Sequence, residues 1–208
     1  MPEPIHPVLI QHLAPKNFLS FGPDNPGIEL RALNLFIGAN GSGKSNLFEA
    51  ISLMRATPKE VRDVTPKGGG VTEWIWKGQP QGTASVEWCA ISPNRLPLRH
   101  ALGFGSVDQA FSLQHEEVGL AGKPANKIYS YDKFFGLKPS LVFERNGTRG
   151  SSYIDVEPNR SILAQRRDPE RYPDLSWLSD RYEKIRLYRE WSFGRGSILR
   201  EPERADLR

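Results

Sequence analysis

The residues best placed to do chemistry are eight in a row, Gly38-Ala39-Asn40-Gly41-Ser42-Gly43-Lys44-Ser45, which satisfy the spacing G-x-x-x-x-G-K-[ST]. Each residue type has a physical reason. Gly38, Gly41 and Gly43 allow backbone angles that a side chain forbids, so successive N–H groups can curl around a phosphate oxygen. Lys44 falls at the start of the helix expected next. There its ammonium can meet the β and γ phosphates of a nucleotide, and the helix N-terminus adds partial positive charge. That charge makes Lys44 the one catalytic candidate; no general base is recognised. Ser45 is the expected Mg²⁺ ligand. Asn40 tolerates left-handed backbone angles and adds a side chain within reach of phosphate. The expected binding set is Gly38, Ala39, Asn40, Gly41, Ser42, Gly43, Lys44, Ser45 and Asn46, and the expected ligands are ATP and Mg²⁺. From background residue frequencies the bare pattern arises by chance in roughly one chain in a hundred of this length.

Such a loop needs a strand before it and a helix after it. Residues 28–37 are mostly apolar, broken by Arg31 and Asn34, and their last part predicts a central buried strand ending at Gly38. Beyond the loop, Leu47, Ile51 and Met54 recur at helical spacing with Phe48 and Ala50 widening the stripe, which predicts a helix to about Ala56. Residues 8–13 and 17–21 predict one strand or two before a turn at 22–27. From 67 to 156 short alternating runs between Gly and Pro predict antiparallel strands at 72–77, 84–91, 110–115 and 127–131. Asn146-Gly147 between 140–144 and 151–156 signals a hairpin. Trp74, Trp76 and Trp88 alternate as sheet core residues do, so they are assigned to the core and not to base stacking. After Pro158 arginines accumulate, with a helix expected near Asp174 and an undecided stretch at 185–187.

The expected class is therefore α/β with α+β character: a P-loop strand-helix unit beside an antiparallel β subdomain. The expected organisation is one partial ATPase domain over 1–208, divided into a P-loop unit at 1–56, a β-rich region at 67–157 and an arginine-rich segment at 158–208.

Composition limits the alternatives. With 208 residues, 38% of them hydrophobic, the chain can bury a core, and its net charge of +4 is too mild to indicate nucleic acid by itself. Cys89 is the sole cysteine and sits in an alternating apolar stretch where a buried structural thiol is expected. His6, His12, His100 and His115 lack metal-ligand spacing. No apolar run reaches the ~18 residues of a membrane helix and no charged leader opens the chain, so the expected location is the cytoplasm and no membrane partner is expected. A GTPase would carry Asn-Lys-x-Asp; the nearest stretch, Asn126-Lys127-Ile128-Tyr129, lacks the aspartate. A small-molecule kinase would continue with strand-helix crossovers rather than antiparallel strands.

The residues Asn17-Phe18-Leu19-Ser20-Phe21, then 33–37, then Gly38 through Ile51, resemble the N-terminus of the RecF/SMC/OLD-like ATPases, the ABC-type branch of P-loop proteins. Residues 161–169 and 185–191 resemble bacterial ATPases of the AAA family within that group. The resemblance implies an ABC-type head lobe, ATP hydrolysis by the complete protein, and a homodimer that sandwiches ATP between heads. It also implies work in DNA repair, chromosome maintenance or phage defence, with DNA as a partner. It makes Gln165 the counterpart of a glutamine that senses Mg²⁺ and the γ-phosphate.

Other parts of that family's pattern are missing. An aspartate ending an apolar strand, a glutamate after it and a Leu-Ser-Gly signature are not found; Glu144, Asp155, Glu157 and Leu178-Ser179-Asp180 are the nearest approaches. The expectation is the N-terminal portion of a longer ATPase, which binds nucleotide and turns it over little or not at all alone. The alternative is a non-catalytic, nucleotide-responsive regulatory or interaction module.

Overall fold

Strict alternation of small or apolar residues with polar ones dictates the centre of the molecule. The computed structural model describes residues 9–188 except 65–69, 79–81, 92–95, 124–125, 134 and 146–147. Among the described residues, eight strands form one wholly antiparallel sheet: β1 (Ile10–Lys16), β2 (Ile28–Glu29), β3 (Ala84–Ala90), β4 (Leu98–Val107), β5 (Ala110–Leu120), β6 (Lys127–Asp132), β7 (Leu137–Arg145) and β8 (Thr148–Tyr153). Their order is β2-β1-β3-β4-β5-β6-β7-β8, so every neighbour except β1 and β3 is also consecutive in sequence.

The register carries one row of side chains across the sheet: Leu13, Trp88, His100, Val118, Tyr129 and Leu141 lie opposite one another in turn. All six are buried. The adjacent row, Ala14, Glu87, Ala101, Glu117 and Ser130, belongs to the other face, where Arg99 joins Glu87 and Glu117 at 2.6 Å each. One face is thus core and the other is polar, as period-two alternation requires.

Three helices sit with the core face: α1 (Lys44–Ala56), α2 (Ile162–Gln165) and α3 (Pro173–Glu183). Leu47, Ala50, Leu53 and Met54 of α1, Ile162 and Leu163 of α2, and Leu175, Leu178 and Tyr182 of α3 share a single hydrophobic cluster with the sheet. Full burial of a side chain such as Leu53 contributes about 1.5–3 kcal/mol. The P-loop unit and the β-rich region therefore share one sheet and one core.

Several expectations held. The helix after the loop, the strands at 84–90 and 127–132, the helix near Asp174 and the pairing of β7 with β8 are present. Trp74 and Trp88 are fully buried. The Asn146-Gly147 turn, residues 67–69 and residues 189–208 lie outside the described residues.

Others are corrected. Residues 72–77 are not a strand: Gly70–Trp74 forms a 3-10 helix that buries Val71 and Trp74 three residues apart on one side, and Ile75 makes only an isolated bridge to Phe18. Residues 17–21 are a tight turn, with Phe18 and Phe21 exchanging both backbone hydrogen bonds at 3.0 and 2.9 Å. The stretch 185–187 is neither helix nor strand. Cys89 lies on the polar face of β3, half-buried, because its parity is opposite to that of Trp88. The largest correction concerns 33–37, expected as a central buried strand. Only Ile28–Glu29 of that run pairs in the sheet. Leu33, Leu35 and Ile37 are more than 80% exposed. Apolar alternation makes a strand only where a neighbouring backbone accepts its hydrogen bonds, and none of the described strands flanks this segment.

Candidate functional site

The site grows from the N-terminus of α1. Gly43 is its cap residue, in the left-handed region at φ 89°, and Asn46 N donates to Gly43 O at 3.0 Å to close the first turn. No acidic residue stands in that first turn. The free N–H groups and the helix dipole are therefore left to an external anion. Gly41 also has positive φ, at 82°. Buried Leu47, Ala50, Leu53 and Met54 fix the helix against the core, so the glycine loop is hung on a packed anchor.

Lys44 turns its ammonium into this loop. Its Nζ donates to Gly38 O and Ala39 O at 2.7 Å each and to Ser42 Oγ at 3.2 Å. No carboxylate is among its partners. A cation held by neutral oxygens at a loop mouth exchanges them readily for phosphate oxygens, since a charge-assisted bond is roughly twice as strong as a neutral one. Gly38 has its own requirement, because a Cβ there would come 2.8 Å from Ser42 Oγ. Ser45 is exposed beside Lys44, and Asn40 is exposed at the loop's outer bend. Residues 38–46 are thus one continuous surface, and it suits a polyphosphate.

One member of this surroundings was not legible as a site residue. Ser20, at the tip of the 17–21 turn, accepts a hydrogen bond from Asn46 Nδ2 at 2.7 Å. A Cβ on Gly43 would lie 2.8 Å from the same hydroxyl oxygen. Ser20 and Asn46 are 26 residues apart in sequence, and no spacing rule links them.

Gln165 is engaged locally. Its Oε1 accepts from Glu157 N at 2.7 Å, and its Nε2 donates to Arg160 O at 2.9 Å and to Glu157 O at 3.3 Å, so the amide closes the loop between β8 and α2. Glu157 also accepts from Arg160 at 2.6 Å. Ser179 donates to Leu163 O and Leu175 O at 2.9 Å each, a structural task inside the core.

Several arginines after Pro158 are engaged among the described residues. Arg166 donates to Asp155 O at 2.8 Å, and Arg167 bonds Pro58 O and pairs with Glu183 at 2.6 Å. Arg171 and Arg181 lie over the rings of Tyr172 and Trp177 at 5.6 and 5.7 Å. They brace α2 and α3 and do not form an open cationic stripe.

The three histidines among the described residues each pair with an acid. His12 meets Glu29 at 2.8 Å, His115 meets Asp132 at 3.1 Å, and buried His100 meets Glu116 at 3.1 Å. No cluster of three or more metal-ligating side chains occurs among the described residues.

Residues 33–85 match a family model described as "AAA domain, putative AbiEii toxin, Type IV TA system". The match spans the exposed 33–37 segment, the phosphate loop, α1 and the first residues of β3, about a quarter of the chain. It supports an AAA-type, P-loop ATPase-like domain. No curated protein matches the chain. None of its helices is long and apolar enough to cross a membrane among the described residues.

Proposed function

We propose that this chain binds MgATP through residues 38–46 and is one lobe of an ABC-type, RecF/SMC/OLD-like ATPase. The observation that carries the reading is the geometry of Lys44: its ammonium is turned into a glycine loop at the head of a helix whose first turn holds no acidic residue. The backbone N–H groups of the loop bind the phosphates, Lys44 neutralises charge on the β and γ groups, and Ser45 orients the magnesium ion. Magnesium, when bound, supplies the second positive charge against the phosphates.

Hydrolysis needs a group that directs water, and two acids that could be asked to do so are engaged elsewhere. The Glu157 carboxylate pairs with Arg160, and Glu116 is buried in the core. The exposed 33–37 segment supports a division of labour. In the complete ATPase it becomes a strand once further strands pair with it, and those strands bring the water-directing carboxylate. ATP then draws two heads together, and its loss releases them. DNA repair, chromosome maintenance and phage defence are all outputs such a head can drive; Arg160, Arg166 and Arg167 give no support to a DNA surface, because they are engaged within the chain.

The second reading, a nucleotide-responsive module without turnover, is favoured by the same lack of a free carboxylate at the loop. A thermal melt tests the binding that both readings share. MgATP at a hundred times its Kd stabilises by about 2.7 kcal/mol, so Tm rises, whereas adenosine leaves it unchanged. An identical Tm with and without millimolar MgATP would remove the nucleotide from both. Steady phosphate release by the purified chain would remove the division of labour.

A further inference from the structure

The 17–21 turn is built more firmly than a surface turn needs to be. Phe18 is fully buried and packs against Trp74 and Phe104, with ring centroids 5.6 and 6.1 Å away. Leu19 adopts positive φ, 53°, and its N–H donates to Trp74 O at 2.8 Å, while Trp76 N donates to Asn17 O at 2.8 Å. A left-handed leucine carries strain that surrounding contacts must hold in place. The turn is therefore clamped on both sides to the core sheet and the 3-10 helix. What it presents at its tip is Ser20, whose Oγ accepts from Asn46 Nδ2 at 2.7 Å and closes against Gly43.

From this geometry we infer that Ser20 is a positioning residue for the nucleotide: it fixes Asn46 and the Gly43 hinge so that the first N–H groups of α1 stay aimed at the phosphates. The inference rests on the MgATP reading above. Gly43 is the cap residue at which the glycine loop enters α1, and its left-handed backbone is the pivot on which the loop would swing. Ser20 limits that swing from one side, and the hydrogen bond to Asn46 holds the first turn from the other. As an acceptor in this bond, Ser20 still has its own O–H proton to offer an oxygen of the bound nucleotide. Pre-aimed donors bind an anion more tightly than donors that must first be ordered.

The test is isothermal titration of MgATP into the full chain and its Ser20→Ala, Ser20→Thr, Asn46→Ala, Ser20→Ala/Asn46→Ala and Lys44→Ala variants. Loss of one hydrogen bond predicts that Ser20→Ala weakens MgATP by about 3- to 10-fold. Ser20→Thr keeps the hydroxyl and restores binding to within about 2-fold, a rescue that packing alone would not give. The double variant loses no more than Asn46→Ala, because the two act through one bond. Wild-type affinity in Ser20→Ala, failure of the threonine to rescue, or additive losses would overturn the inference while leaving the Lys44 reading intact. Absence of MgATP binding by the wild-type chain would overturn both.

Discussion

Glu116 and Ser161, 45 residues apart, are joined in the buried core by a hydrogen bond of 2.5 Å from the serine hydroxyl to the glutamate. The same carboxylate accepts from Ile162 N at 2.8 Å through its other oxygen and lies 3.1 Å from His100 Nε2. One acid on β5 thus holds the head of α2 and meets Nε2 of His100 in the buried cross-sheet row. It is the joint between the sheet and the helices that cover it.

Removing that acid should be costly. Glu116→Ala takes the acceptor from the Ser161 hydroxyl and Ile162 N–H and the partner from His100 Nε2, and breaking a buried pair by removing one member costs about 3–5 kcal/mol. For a chain of this size each kcal/mol shifts Tm by roughly 2–4 °C. The predicted result is a Tm drop of about 6–20 °C with Glu116→Ala, and a smaller drop with Glu116→Gln, which keeps an acceptor. A melt of Glu116→Ala that overlays wild type would remove this joint from the account.

Gln165 gives a contrast between local structure and ligand. Loss of its loop bonds predicts that Gln165→Ala costs about 1–2 kcal/mol in denaturant melts, with MgATP affinity of the isolated chain unchanged. Unchanged stability together with weakened MgATP binding would reassign the amide to the ligand.

Stability should fall at alkaline pH. Burial pushes the Tyr129 phenol up from its ordinary value, and nearby Glu116 adds to this; burial does the same for Tyr182 and for the Cys89 thiol. The unfolded chain therefore releases these protons at lower pH than the folded one. Their contribution is whole below the ordinary thiol range and is lost as pH climbs past ~8.5 for the thiol and ~10 for the phenols. Tm measured from pH 8 to 11 should decline, and Tyr182→Phe should decline less steeply. Equal slopes would show that Tyr182 is free to ionise in the folded state.

The exposed segment before the loop makes a separate prediction. Leu35→Ser should change stability by less than about 0.5 kcal/mol, as at an exposed site, whereas Leu53→Ala in α1 should cost about 2–5 kcal/mol. Comparable losses in chemical melts would place Leu35 in a packed strand of this chain.

The sequence announced what depends on neighbours along the chain. The glycine loop, the α1 stripe and the alternation of β3 each report local geometry, and each was found where it was read. Residues 33–37 alternate as a strand does, yet pattern cannot supply the adjacent backbone that a strand needs. β4, ten residues long, went unread because His100 holds a core position while Ala101 and Gly103 stand on the other face, so polar and apolar residues do not alternate. The turn joining it to β5 is Asp108-Gln109, both at positive φ, 50° and 64°, a geometry usually signalled by Asn-Gly. At the site, Gly38 to Asn46 was legible because it is contiguous. Ser20 was not, because only the fold brings it to Asn46.

The most direct measurement is titration of a fluorescent ATP analogue, with Mg²⁺, into wild type and Lys44→Ala. Loss of one charge-assisted contact, about 1.5–3 kcal/mol, predicts saturable binding by wild type and an affinity lower by roughly one to two decades in the variant. Indistinguishable curves for the two proteins would take Lys44 out of the site and contradict the account.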